Sequence, residues 1–294
     1  MQNLVLGTAQ LGMPYGIGNR AGQPNPSRAM DIVREARDHG ISEFDTAQHY
    51  GTSEAVLGEA LSGLGLSNRV RIISKFDPGL DHFSSAELAR ATDRSLKRLG
   101  IENLFGLLVH REELIDRWNS GVFQAIQPLI LSGKVSHIGI SVYSPVNALK
   151  ALEIREIDMI QLPSNLWDRR FEKAGVFRRA QEKGKRVYIR SIYLQGLLLM
   201  DPAEVPTRLE RARPFLLALD SLASRAGMTR QALALGYLGS EAPAARIVFG
   251  AETPEQVRDT CRNALQGISP ELRDEVKTLF AQVPETILNP SQWV

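Results

Sequence analysis

The chain has 294 residues, of which 43% are hydrophobic, and this content allows one full-sized core and a single domain over residues 1–294. Thirty-five basic residues against 33 acidic ones leave a formal net charge of +2, and no basic run is present, which excludes nucleic acid as the expected partner. No window reaches the roughly 18 apolar residues of a membrane span, and the first residues lack a signal-peptide pattern, so a cytoplasmic protein without a membrane partner is predicted.

Short β-rich runs alternate with longer amphipathic runs along the chain. In chain order, the β-rich runs are LVLGT, SEFDT, VRIISK, LFGLLVH, VSHIGIS, DMIQL, RVYIRS and ARIVFG. The amphipathic runs include one with an apolar stripe of Leu88, Ala91, Thr92, Ser95, Leu96 and Leu99. Eight strands alternating with helices predict an α/β fold, a parallel (β/α)8 TIM barrel, and a doubly wound open sheet is the structural alternative.

Two segments fall outside this alternation. Residues 199–213 are rich in proline and charge and have no counterpart in the repeat, so they are predicted to be a loop insertion. The run SPELRDEVKTLFAQV predicts an extra C-terminal helix after the eighth unit, and ETILNPSQWV follows it as a short C-terminal tail.

Polar residues stand where the second, third and fourth predicted strands end. Asp45 ends SEFD, Lys75 ends VRIISK and His110 ends LFGLLVH, while Tyr50 lies in the loop after the second strand. Taken singly, each has a structural explanation as a turn cap, a surface ammonium, a core histidine or a packed aromatic. The carboxyl ends of barrel strands meet at one face, so their joint occurrence favours a shared catalytic role.

In order and setting, these four residues resemble the Asp, Tyr, Lys and His tetrad of the aldo-keto reductases. The resemblance covers nearly the whole chain and includes FDTAQHYGTSEAVLGEAL, IISK, LLVH, GTAQLG, GIS, IQLPSN, QGLLL and GAETPEQV. It implies an NAD(P)H-dependent oxidoreductase that reduces an aldehyde or ketone, with a small-molecule carbonyl substrate as its partner. A second possibility is a redox sensor that binds the cofactor, turns over weakly and signals to a protein partner.

The chemistry of the tetrad supports carbonyl reduction. A phenol is a weak acid at neutral pH, and Lys75 is expected to lower the pKa of Tyr50 while Asp45 holds the lysine charged. His110 is expected to hydrogen-bond the substrate oxygen, and Tyr50 to protonate that oxygen as hydride reaches the carbonyl carbon. No side chain supplies hydride, so a nicotinamide cofactor is required.

The resemblance also implies which residues hold this cofactor. Ser141 and Gln161 are expected at the nicotinamide carboxamide, the backbone from Ser191 to Gly196 at the diphosphate, and Gly250 to Asp259 at the adenosine. The full expected set is Gly7, Thr8, Ala9, Asp45, Ser141, Gln161, Arg190, Ser191, Tyr193, Gly196, Gly250, Glu252, Gln256 and Asp259. No metal-ligand spacing occurs, and no metal is expected.

Three positions depart from the family pattern. Val142 stands where an asparagine often contacts the carboxamide, and Arg190 stands where an aromatic side chain usually stacks on the nicotinamide. Glu252 suits a free ribose hydroxyl better than a 2′-phosphate. NADP(H) is nevertheless expected, with NAD(H) possible, because other arginines are available for a phosphate contact: Arg208, Arg211 and Arg258.

The substrate pocket is harder to assign from the sequence, and the oligomeric state is not readable. Three aromatic residues either line the pocket or pack at the bases of loops: Tyr15, Trp167 and Trp293. Arg111 directly follows His110 and is expected either to recruit an anionic substrate or to pair on the surface with Glu112 or Glu113.

Overall fold

The computed structural model describes residues 3–293, and in them eight parallel strands form a closed barrel. Each strand pairs with the next, and the eighth pairs with the first, as the alternation of strands and helices predicts. Closure rules out the open doubly wound sheet. The strands are β1 (Leu4–Gly7), β2 (Glu43–Asp45), β3 (Arg71–Lys75), β4 (Leu104–Val109), β5 (Val135–Ser141), β6 (Met159–Pro163), β7 (Arg186–Arg190) and β8 (Arg246–Gly250).

Helices surround the barrel and cover its outer face. They are α1 (Ala9–Gly12), α2 (Pro26–Asp38), α3 (Ser53–Gly63), α4 (Ser85–Leu99), α5 (Val122–Leu131), α6 (Pro145–Glu153), α7 (Arg170–Lys173), α8 (Val176–Glu182), α9 (Arg213–Arg225), α10 (Arg230–Glu241), α11 (Pro254–Asn263), α12 (Pro270–Leu279) and α13 (Glu285–Leu288). In the described part of the chain, no helix is long and apolar enough to cross a membrane.

Local signals explain why the helices begin and end where they do. The Ser84 side chain accepts a hydrogen bond from the Glu87 backbone N–H at the start of α4, and Gly100 ends the helix with φ at 63°. All six residues of the predicted apolar stripe of α4 are buried. The extra helix predicted after the eighth unit is also present, as α12.

The prediction of a plain loop over residues 199–213 is wrong. This segment contains the 3-10 helices Pro202–Glu204 and Thr207–Ala212, and α9 begins at Arg213. Leu209 is buried, in a second apolar cluster that includes residues of α9, α10 and α13. The proline and charge of the segment indicated a loop, but its few apolar residues pack against helices that are distant in sequence. The C-terminal tail likewise contains α13 and the 3-10 helix Pro290–Gln292.

The pleat of the strands determines which side chains point into the barrel. A buried cluster of Val5, Ile73, Leu108, Met159, Tyr188 and Val248 forms inside it. Side chains two residues apart on a strand share a face. The residue two positions after each member of this cluster therefore also points into the barrel, nearer the carboxyl end of its strand. This rule places Lys75, His110, Gln161, Arg190 and Gly250 on the inward face at that end.

Candidate active site

A cavity of about 420 Å³ opens at the carboxyl ends of β1, β2, β7 and β8. Most of the residues expected from the sequence line it: Gly7, Thr8, Ala9, Asp45, Tyr50, Arg190, Ser191, Tyr193, Gly196, Gly250, Glu252, Gln256 and Asp259. Lys75, Ser141 and Gln161 are not at the cavity surface; they are buried at neighbouring strand ends. His110 is partly buried at the end of β4. The structure therefore brings the expected residues to one end of the barrel.

A buried ion pair lies at the centre of this group. Lys75 Nζ donates hydrogen bonds to both carboxylate oxygens of Asp45 and to the backbone oxygen of Thr46, each at 2.8 Å. The lysine is fully buried, and the ammonium has only three N–H groups. All of its donors are therefore directed at Asp45 and Thr46, which holds both charged side chains in one orientation.

Tyr50 lies against this pair, but the pKa of its hydroxyl differs from the expectation. Lys75 Nζ lies over the phenol ring, 4.9 Å from its centroid, and within residues 3–293 no hydrogen bond joins it to the hydroxyl. Burial and the charge of Asp45 raise the pKa of Tyr50 above its ordinary value. The lowered Tyr50 pKa expected from the sequence does not occur in this structure, because burial, followed by the charge of Asp45, raises it. The raised pKa keeps the phenol protonated, as a proton donor requires.

His110 completes the tetrad as a neutral side chain. Its ring meets the Tyr50 ring edge to face, with centroids 6.5 Å apart. Burial, followed by the charges of Lys75 and Arg190, lowers the pKa of His110 to about 3. The imidazole is therefore neutral near pH 7 and has one N–H to donate to a substrate oxygen.

These pKa directions predict a flat pH profile for the reduction of a neutral aldehyde. His110, with its pKa lowered to about 3, is neutral throughout the usual assay range, and the raised pKa of Tyr50 keeps the phenol protonated at pH values beyond the ordinary phenol pKa. We therefore expect kcat to stay within about twofold from roughly pH 6 to 9. A fall at higher pH would report Lys75, because burial lowers the pKa of that ammonium from its ordinary value. A stopped-rate assay with a non-titrating aldehyde measures this profile. An acidic inflection inside that range that disappears in His110→Asn would contradict the neutral state of His110. An alkaline inflection inside that range that disappears in Tyr50→Phe would contradict the raised pKa of Tyr50.

Ser141 and Gln161 present buried polar atoms that need a partner. Gln161 Nε2 donates to Asp45 Oδ1 at 2.7 Å, while Gln161 Oε1 and Ser141 Oγ have no partner among the described residues. The two residues stand in register on adjacent strands, β5 and β6. A carboxamide carries one N–H₂ donor and one carbonyl acceptor, which complements a free amide oxygen and a free hydroxyl. The residues present therefore fit a nicotinamide carboxamide.

The turn after β7 forms the middle of the cavity wall. Ser191 and Gln195 have φ of 59° and 55°, in the left-handed region that residues other than glycine rarely adopt, and Gly196 follows at 96°. The Gln195 backbone oxygen accepts a hydrogen bond from the Ile17 backbone N–H, at 3.0 Å. This contact joins the turn to the loop after β1 and aligns both loops along the cavity. Strained backbone of this kind is frequent where a chain shapes a ligand site.

The outer end of the cavity carries acidic and amide side chains. Glu252 and Gln256 hydrogen-bond each other twice: the Glu252 backbone N–H donates to Gln256 Oε1 at 2.7 Å, and Gln256 Nε2 donates to Glu252 Oε2 at 3.1 Å. Asp259 lies on the same wall. Arg258 instead forms two 3.0 Å hydrogen bonds with Glu35. Neither Arg208 nor Arg211 lines the cavity, so none of the three arginines considered from the sequence faces it.

Several cavity residues were not found from the sequence. Gln10, Arg20, Glu204 and Gln231 also line the cavity, and Arg20 forms an ion pair with Glu204 across the two loops. Gln10 stands within GTAQLG, the one signal the sequence offered, while Arg20, Glu204 and Gln231 lie outside the motifs of the resemblance.

The pocket residues suggested by the sequence have different positions. Tyr15 lines the cavity with Tyr50. Trp167 takes the packing alternative: it is buried, with its ring near those of Phe215 and Phe280. Trp293 does not line the cavity either; it donates from Nε1 to the Ile287 backbone oxygen at 3.1 Å. Both indole rings fill space in the second apolar cluster.

Arg111 takes the surface alternative that the sequence left open. Its Nε donates to Glu113 Oε1 at 2.7 Å, and the arginine side chain is 41% exposed. A pair of this kind on the surface neutralises the guanidinium without directing it at the cavity.

Comparisons with known proteins agree with this geometry. The profile of the Aldo/keto reductase family matches residues 3–277. The L-glyceraldehyde 3-phosphate reductase of Escherichia coli is 27% identical over 302 aligned positions, which cover 88% of this chain and 86% of that protein.

Solved structures show the same fold. A holo-form aldo-keto reductase from Bacillus halodurans has a TM-score of 0.77 at 23% identity, covering 98% of this chain and 95% of that one. One from Klebsiella pneumoniae, in complex with NADPH, has a TM-score of 0.74 at 22% identity, covering 98% and 94%. The barrel, the residues gathered at its carboxyl end and the family profile over most of the chain lead to one conclusion: the chain belongs to the aldo/keto reductase family.

Proposed function

We propose that this oxidoreductase reduces an aldehyde or ketone to an alcohol with NAD(P)H, with Tyr50 as the general acid. One observation carries the proposal: the unpartnered Ser141 Oγ and Gln161 Oε1 adjoin the Asp45 and Lys75 pair through the hydrogen bond from Gln161 to Asp45. A site that fits a carboxamide therefore lies beside the residues that adjoin the proton donor, Tyr50, at the same end of the barrel. The E. coli relative, named for reducing an aldehyde, supports the same reaction class.

Each residue of the tetrad has a distinct part in this reaction. A nicotinamide cofactor held by Ser141 and Gln161 would supply the hydride for the carbonyl carbon. Tyr50 donates its proton to the carbonyl oxygen, and the resulting phenolate gains stabilisation from Lys75, whose Nζ lies 4.9 Å from the ring centroid. Neutral His110 donates its N–H to the same oxygen and stabilises the charge that develops there. Asp45 holds Lys75 through its two hydrogen bonds.

Steady-state turnover separates this proposal from a redox sensor. A panel of aldehydes and ketones is incubated with NADPH or NADH, and loss of the reduced nicotinamide is followed together with formation of the alcohol. The proposal predicts turnover with at least one substrate at rates typical of enzymes, about 1 s⁻¹ or more. Tight cofactor binding with negligible turnover across the panel would favour the sensor. A cytoplasmic location and a small-molecule carbonyl substrate stay predictions.

The outer end of the cavity favours NAD(H), although NADP(H) was expected from the sequence. Glu252 and Asp259 line this end, and Arg258 is held by Glu35. A carboxylate accepts a hydrogen bond from a ribose hydroxyl and repels a 2′-phosphate. Arg28 is a further cation close by, since it borders the same depression as Thr253.

We therefore expect NADH to bind at least as tightly as NADPH, and Glu252→Arg to shift the ratio of dissociation constants toward NADPH by roughly tenfold. Calorimetric titration of the protein with both cofactors measures the ratio without turnover. Arg28→Ala tests the one other cation named at this end of the cavity. The expectation fails if the wild-type protein binds NADPH more than tenfold tighter than NADH. If it does, and Arg28→Ala removes the preference for NADPH, Arg28 is the phosphate contact.

A further inference from the structure

Arg190 carries a positive charge that no described residue neutralises. It ends β7 with its side chain on the inward face, and it lines the cavity with Tyr50 and Ser191. Its Nη1 donates to Ser191 Oγ at 3.3 Å, and its Nη2 is buried with no hydrogen-bond partner among residues 3–293. No ion pair to Arg190 occurs within the described chain. A buried, charged N–H without an acceptor is unfavourable, so this atom is suited to a ligand.

The neighbouring groups leave this charge uncompensated. Asp45 is already bonded to Lys75, and this pair is neutral as a unit whichever side chain holds the proton. Burial keeps His110 uncharged near pH 7, where the Tyr50 phenol also keeps its proton. On its other side, the guanidinium lies over the Tyr143 ring, 4.4 Å from the centroid, and this contact holds it in place. The tetrad and Arg190 taken together therefore carry a net charge of about +1.

Arg20, which also lines the cavity, and Arg111, which follows His110 in the chain, are already paired. Arg111 is bonded to Glu113, and Arg20 to Glu204. Arg190 thus differs from them in having an unpartnered, buried N–H beside the proton donor. A guanidinium in this state binds carboxylate or phosphate oxygens well, because its planar N–H groups match them and water does not compete.

We propose that Arg190 binds an oxyanion of the carbonyl substrate, so that this reductase prefers carboxylated or phosphorylated aldehydes and ketones to neutral ones of the same size. The inference rests on the proposed reductase function and names its substrate class. The position of Arg190 against the nicotinamide, expected from the sequence, is compatible with this role, because a contact with the face of a guanidinium leaves the N–H groups at its edge free.

Matched substrate pairs test the preference. Succinic semialdehyde is compared with 4-oxobutanamide, and glyceraldehyde 3-phosphate with glyceraldehyde, in the wild type and in Arg190→Gln and Arg190→Lys. The measured quantity is the ratio of kcat/KM for the charged member to that for the neutral member. We expect Arg190→Gln to lower this ratio by roughly tenfold or more and Arg190→Lys to retain part of it. The pair with the larger loss identifies the carboxylate or the phosphate as the natural group.

Arg111→Gln is the matched control, since it removes a guanidinium outside the cavity lining that Glu113 already neutralises. It should leave the ratio unchanged. An unchanged ratio in Arg190→Gln overturns the inference. Loss of NAD(P)H affinity in that variant, with the ratio kept, also overturns it, because the oxyanion would then belong to the cofactor.

Binding without turnover keeps the inference testable if the proposed function fails. Calorimetry compares 4-hydroxybutyrate with 4-hydroxybutanamide on the protein saturated with NADH or NADPH. Tighter binding of the anion, lost in Arg190→Gln, supports the oxyanion site even where no aldehyde is reduced. Equal binding of the two compounds to the wild type overturns it.

Discussion

Replacing Tyr50 by phenylalanine is expected to lower reductase turnover by roughly 10²–10⁴-fold, because the substrate oxygen loses its proton donor. The ring remains, so its contacts with Lys75 and His110 are kept, and the dissociation constant of the cofactor should stay within a few fold. Steady-state kinetics and calorimetric titration of the same preparation measure both quantities.

Tyr237→Phe makes the same chemical change outside the cavity. The Tyr237 hydroxyl donates to Glu172 Oε2 at 2.6 Å, so its loss costs about 1 kcal/mol of stability and should not alter turnover. If Tyr50→Phe kept more than a tenth of the wild-type turnover with a good substrate, Tyr50 would not be the general acid.

Replacing Lys75 by methionine is expected to abolish turnover and also to destabilise the fold. The Asp45 carboxylate would stay buried without its cation, with Gln161 Nε2 as a remaining donor. Breaking a buried ion pair in this way costs about 3–5 kcal/mol of the free energy of unfolding. Denaturant unfolding followed by circular dichroism measures the loss, and turnover is assayed where the variant is folded.

A second variant separates the charge from the chemistry. Asp45→Asn combined with Lys75→Met removes both charges, so most of the lost stability should return while turnover remains absent. A single Lys75→Met variant as stable as the wild type would show that the pair is not held in the buried geometry described for it. Recovery of turnover in the double variant would exclude Lys75 from the mechanism.

The sequence predicted the barrel well because its signals are local. Eight β-rich runs and the α4 stripe depend on residues near one another in the chain, and each predicted strand and stripe residue occurs in the structure. The packing of Trp167 and the 3-10 helices of residues 202–212 depend on contacts with α9 and more distant helices. Composition alone does not reveal such contacts.

The site was predicted by residue but not by charge state. Asp45, Lys75 and Tyr50 are recognisable from their strand ends, and the structure brings them together. Whether Lys75 directs its N–H groups to Tyr50 or to Asp45 and Thr46 depends on three-dimensional geometry. So does the burial of Tyr50, which together with the Asp45 charge raises the pKa that the sequence predicted to be lowered. The unpartnered N–H of Arg190 could not be predicted either, because it depends on which carboxylates lie near Arg190 in three dimensions.

Deuteride transfer tests the central claim most directly. The protein is incubated with an aldehyde and reduced nicotinamide cofactor deuterated at the transferable position, and the alcohol is analysed by nuclear magnetic resonance. The account predicts deuterium on the carbinol carbon in the wild type, and a loss of roughly 10²-fold or more in the rate of label transfer in Tyr50→Phe. Cofactor that binds to the wild type but transfers no label to any aldehyde of the panel would contradict it.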